Sequence, residues 1–137
     1  MRKRTKARVL ALQILYQIDI TGEKDTHCLE NFWLDMEDPL EEGVKEFTAE
    51  LVKGVSEHLG EIDNKISHYA TNWQIERMAV VDRNVMRLSC YELLYRQDIP
   101  AKVSINEAVE LAKKYSCLEA SKFVNGILDK IKSEKDK

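Results

Sequence analysis

Residues 78–115 read MAVVDRNVMRLSCYELLYRQDIPAKVSINEAVELAKKY, and their period decides the fold class. From Met78 to Tyr95 the apolar side chains recur at the three- and four-residue intervals of a helix, without the two-residue alternation of a strand. They fall on more than one side, so this helix is expected at the centre of the fold. Glu92 lies among Val85, Leu88 and Ser89. A carboxylate in such surroundings has to be paired or hydrogen-bonded, and a structural role is expected rather than a catalytic one. The DIP turn at Pro100 stops the helix, and Ser104 with Glu107, in the S-x-x-E spacing of a capping box, marks the start of the next, which continues to about Tyr115.

The same period runs outward in both directions. One helix is predicted from about Thr5 to Thr21, with Gly22 as its left-handed stop, and a short one around Leu29 to Leu34. In the acidic connector DMEDPLEEG, Pro39 suits the first turn of a helix. Val44, Phe47, Leu51, Val55 and Leu59 form one stripe ending at Gly60, and Ile62, Ile66 and Tyr69 a shorter segment. Val124, Ile127, Leu128 and Ile131 define the last helix, which dissolves into a tail, residues 133–137, expected to fray. The reading is an all-α fold of about seven helices in a single domain, 1–137.

Composition agrees. At 137 residues, 44% hydrophobic and 33% charged, the chain suits one core. No apolar run is of membrane-spanning length, and the N-terminal cluster lacks the apolar block of a secretory signal, so a cytoplasmic protein with no membrane association is expected. The three cysteines, Cys28, Cys90 and Cys117, are odd in number and widely spaced, and are expected to be reduced and structural. Net charge is −3, yet Arg2, Lys3, Arg4, Lys6 and Arg8 place +5 in the first eight residues and leave −8 for the rest.

Basic residues at a helix N-terminus have the wrong sign for the macrodipole, at about 0.3–1 kcal/mol each. At about 100° per residue these five point in all directions and make no single solvated face. A flexible arm, residues 1–6, that orders on an anion fits this pattern, and a polyphosphate is the sharper partner, because each neutralised phosphate releases a counterion. A merely solubilising terminus is the plain alternative. The helix behind the arm is apolar on two sides, with Ala7, Leu10, Ala11, Ile14 and Ile18 on one and Val9, Leu12, Tyr16 and Ile20 on the other. Such a helix is sandwiched in the core or offers one side to a partner, and Tyr16 is the best candidate for a partly wet contact.

In SKFVNG, residues 121–126, Phe123 lies about 90° from the centre of the last helix's apolar face, at the margin of the core. Beside Lys122 it can stack on an unpaired base while the ammonium meets phosphate; a rim residue closing the bundle is the alternative. Gly126 within this helix suggests close packing against another helix. No catalytic pattern appears. His27, His58 and His68 have no metal-ligand spacing, and there is no phosphate loop, dinucleotide fingerprint or nucleophile elbow. No enzyme, metal or cofactor is expected.

Three segments, RKRTKARVLALQILYQID (2–19), VVDRNVMRLSCYELLYRQDIPAKVSINEAVELAKKY (80–115) and SKFVNGILDKI (121–131), together resemble the NusB family of transcription antitermination factors; residues 22–75 match weakly. The resemblance implies an all-helical fold of two small packed subdomains and no catalytic site. It also implies binding of boxA-type single-stranded RNA together with NusE, a ribosomal small-subunit protein, and assembly with other Nus factors on RNA polymerase. By position, the family's RNA-binding arm falls on Arg2, Lys3, Arg4, Lys6 and Arg8 and its later RNA contacts on Lys122 and Phe123, while Tyr16 and Asp82 fall toward the RNA or NusE surface. Where some members carry an aspartate two positions before the Lys-Phe pair, this chain has Ala120. A NusB-like module of a ribosomal RNA methyltransferase would need a methyl-donor domain that this length does not hold, and a purely protein-binding scaffold would leave the basic arm incidental. Monomer and homodimer both stay open.

Overall fold

A computed structural model describes residues 1–135. Among them there are seven α-helices, one short 3-10 turn and no strand. The chain divides into two compact units, Met1–Glu57 and a second from His58 onward. The first holds α1 (Lys3–Thr21), α2 (Asp25–Asp35) and α3 (Val44–Glu57); the second holds α4 (Leu59–Tyr69), the turn Ile75–Arg77, α5 (Val80–Tyr95), α6 (Ala101–Tyr115) and α7 (Leu118–Lys135). No helix among the described residues is long and apolar enough to cross a membrane.

In the first unit α1 packs on α2 and α3. Its core is Ala7, Leu10, Ala11 and Ile14 against Val44, Phe47, Leu51 and Val55, all buried. Thr48 sits in this seam, donating to the Val44 carbonyl at 2.8 Å and lying 3.3 Å from that of Ala7. Gly22 ends α1 as expected, at φ 73°, with its N–H on the Ile18 carbonyl at 2.8 Å. A left-handed residue without a Cβ can make that bond at no steric cost.

The second unit is built round α5, on which α4, α6 and α7 pack. Val85, Met86, Leu88, Cys90 and Leu93 are buried there, and so is Glu92, which is not without a partner. Arg87 makes a forked pair to Asp63 at 2.8 and 2.9 Å, joining α5 to α4, the geometry that makes an arginine–carboxylate contact strong. From the last helix, Val124, Ile127, Leu128 and Ile131 all enter the core.

Several local expectations are corrected. Ser104 is not a cap: α6 starts at Ala101 behind Pro100, whose φ of −58° already matches the helix, and Ser104, one turn in, is buried with its hydroxyl 2.9 Å from that of Ser89. Gly60 does not end a helix either. The break falls at His58, whose ring stacks on Tyr95 with centres 3.9 Å apart, and Gly60 lies inside α4. Pro39 lies in the irregular stretch 36–43, because Gly43, at φ 90°, delays α3 to Val44. The short second helix begins at Asp25, four residues early, with an acid in its first turn. Cys28 and Cys90 are buried free thiols, and burial pushes Cys90 up to about 12. Cys117 is exposed and structural in another way, its sulfur accepting the Ala120 N–H at 3.4 Å where α7 begins. Helix α7 runs on to Lys135, so of the tail expected to fray, residues 133–135 are helical and 136 and 137 lie outside the described residues.

Candidate nucleic-acid interface

The cationic leader is the opening of α1. Arg2 is the residue before the helix, Lys3 the first in it, and the first turn contains no acid and no side-chain cap. The first backbone N–H groups of a helix have no partner within the helix itself. Here they stand beside exposed Arg2, Lys3 and Arg4 and half-buried Lys6, so the helix itself adds to the positive field. The leader reading therefore changes in form: helix starts two residues earlier than the pattern predicts, and Lys3, Arg4 and Lys6 are helical.

Arg8 is a different kind of residue. It is 3% exposed, with its guanidinium 5.6 Å from the centre of the Phe47 ring, and it is not without a partner. Arg4 covers the same ring at 4.5 Å, in a recess that Glu42, Glu46 and Glu50 also line. Phe47 thus seats two arginines of α1, one inside the unit and one at its surface.

Along α1 the two apolar sides separate by depth. Val9 and Leu12 are buried, whereas Tyr16 and Ile20 are 41% and 59% exposed. The first half of the helix is sandwiched and the second half leaves one side to solvent.

The second unit carries Lys122, Phe123 and Asp82. Asp82 sits in the first turn of α5, half-buried, with one carboxylate oxygen unpartnered. Lys122 is exposed, 3.9 Å from the still more exposed Glu119, an ion pair that contributes little in water. Phe123 is half-buried and meets the Trp73 ring edge-on, centres 6.3 Å apart at 70°. Between them runs an open groove of about 330 Å³, lined by these rings and by Asn72, Lys122, Gly126 and Lys130. Gly126 is not packed on another helix: it is exposed, and a Cβ there would meet nothing within 4 Å.

Trp73 escaped the sequence reading because it stands outside any periodic segment, 50 positions before Phe123. Its backbone N–H donates to the Ala70 carbonyl at 3.0 Å. Arg83 donates to the carbonyls of Ile75 and Glu76 at 3.3 and 3.2 Å, which anchors the turn that follows it on α5. Among the described residues, no group of three or more histidine, cysteine or acidic side chains is placed to hold a metal ion.

The chain matches the model of the NusB family over residues 5–133. It is 52% identical over 129 residues to the transcription antitermination protein NusB of Anaeromyxobacter sp. (strain Fw109-5), covering 94% of this chain and 89% of that one. To the NusB of Myxococcus xanthus (strain DK1622) it is 47% identical over 136 residues, covering 96% and 95%. Among solved structures, T. maritima NusB superposes with a TM-score of 0.85 at 38% identity, over 98% of this chain and 92% of that one. The antitermination factors NusB and NusE in complex with dsRNA contain a chain that superposes at 0.85 and 30% identity, over 98% of each.

Proposed function

Because the chain belongs to the NusB family, we propose that it is an RNA-binding transcription antitermination factor. It binds boxA-type leader RNA together with NusE and helps assemble the antitermination complex, with other Nus factors, on RNA polymerase during ribosomal RNA transcription. The observation that carries this reading is the superposition, over 98% of both chains, on a protein solved with NusE and RNA. That neighbour holds double-stranded RNA. The target here is read as single-stranded, because a half-exposed ring such as Phe123 can stack only on a base that is free of its partner.

The division of labour follows from the side chains. Arg2, Lys3, Arg4 and Lys6 draw in phosphate, while Arg8 holds the start of α1 on Phe47 and so aims its neighbours. Phe123 stacks on an unpaired base with Lys122 on the adjoining phosphate. Tyr16 and Asp82 face NusE, the first through an amphipathic ring on an exposed helix side, the second from the first turn of α5. Every one of these roles is binding; the protein is read as non-enzymatic and as acting in the cytoplasm, without a cofactor.

The test is the binding of labelled boxA RNA with and without NusE over a range of salt. Affinity is expected to fall steeply with salt and to rise when NusE is added, as two surfaces share one RNA. Binding of NusE with no gain from RNA would instead make the chain a protein scaffold and overturn the proposal.

A further inference from the structure

A tryptophan has more to gain from burial than most side chains, yet Trp73 is 58% exposed. It is not loose: its backbone N–H donates to the Ala70 carbonyl, its ring rests edge-on against Phe123, and Arg83 pins the turn behind it. An indole held in place with much of its surface in water is a preformed stacking surface whose ordering cost has already been met in folding. The groove beside it has two further properties. Gly126 leaves the α7 backbone bare, with room for a planar group. Lys122 and Lys130 flank the groove, and no carboxylate lines it.

We infer that Trp73 is a second base-stacking residue, forming with Phe123 a two-ring platform that takes unpaired bases of a single-stranded RNA, with the phosphates toward Lys122 and Lys130. The inference rests on the RNA-binding reading above and adds to it a residue, the direction of the strand's charge and the use of Gly126. Charge decides for RNA over a protein helix. In a chain of net charge −3 this groove is cationic, and aromatic faces between ammonium groups are the general means of holding single strands.

The chain has two tryptophans, so Trp33→Phe leaves Trp73 as the sole indole of the full-length protein. Titrating that variant with single-stranded boxA RNA should quench the emission as a base stacks. Trp73→Ala should weaken boxA binding by about tenfold, within the range typical of one lost base stack, and Trp73→Phe should recover most of it. Because stacking releases no counterion, the salt slope of Trp73→Ala should stay at the wild-type value, whereas Lys130→Ala should lower it by about 0.7. An unquenched indole together with wild-type affinity in Trp73→Ala, in a protein that does bind the RNA, overturns the inference and leaves the antitermination reading standing. Loss of NusE binding with RNA binding intact also overturns it, by making the groove a protein surface. Failure of the wild-type protein to bind boxA RNA at all removes both.

Discussion

The opening of α1 and the groove on α7 both present lysine or arginine to solvent, but they differ in what lies between the charges. At α1 the cations crowd the positive end of a helix, and the nearest ring, Phe47, is already occupied by Arg4 and Arg8. At α7 the lysines flank two rings that rest on each other, Trp73 and Phe123, beside a backbone without a Cβ. On the proposed reading, the first arrangement attracts any polyanion at long range and the second distinguishes a free base from a paired one. Charge alone does not separate two such surfaces: what the charge surrounds decides whether an unpaired base can be held.

Four variants sharpen or break this contrast. The largest expected effect is on folding. Arg8→Ala removes a buried, partnered guanidinium and should cost about 2 kcal/mol in denaturant unfolding, while the salt slope of RNA binding at temperatures where the variant is folded stays near wild type. A fall in slope with no loss of stability would put Arg8 back among the phosphate contacts. Phe123→Ala should cost about 1–2 kcal/mol on single-stranded boxA RNA and much less on the same RNA annealed to its complement; equal losses on both would remove base stacking from the α7 site. For the leader, Arg2→Ala, Lys3→Ala and Arg4→Ala together should lower the slope of log affinity against log salt by about 2 and weaken boxA and scrambled RNA alike, as measured by filter binding. A selective loss on boxA would invert the comparison. The smallest effect is Gly126→Ala, where open space above the backbone predicts a gain of about 0.5–1 kcal/mol in stability from helix propensity alone. Destabilisation would mean the groove is tighter than it is drawn.

Much of this was legible beforehand. The α5 pattern, the left-handed Gly22 and the apolar face of α7 are local signals, written in residues a turn or two apart, and each is found where expected. The misreadings share one cause. Ser104, Gly60, Pro39 and Gly126 each have a common local use, as cap, stop, first-turn residue and close-packing residue, and in each case a neighbour had already taken that use or no neighbour came near. Pro100 starts α6 before Ser104 is reached, and His58 breaks the chain before Gly60. The burial of Arg8 was hidden for a similar reason, since nothing in its immediate sequence announces that Phe47, 39 positions later, will lie against it.

The sequence by itself determined that this chain is all helical, that its basic charge is gathered at one end, and that Phe123 lies at the margin of a helix's apolar face, because periodicity, net charge and helical angle are properties of residues in order. Only the tertiary structure decided which of five cations is buried, and that Trp73 stands against Phe123. Those outcomes depend on which side chains from distant parts of the chain reach one another once water is excluded, and no local pattern contains that information.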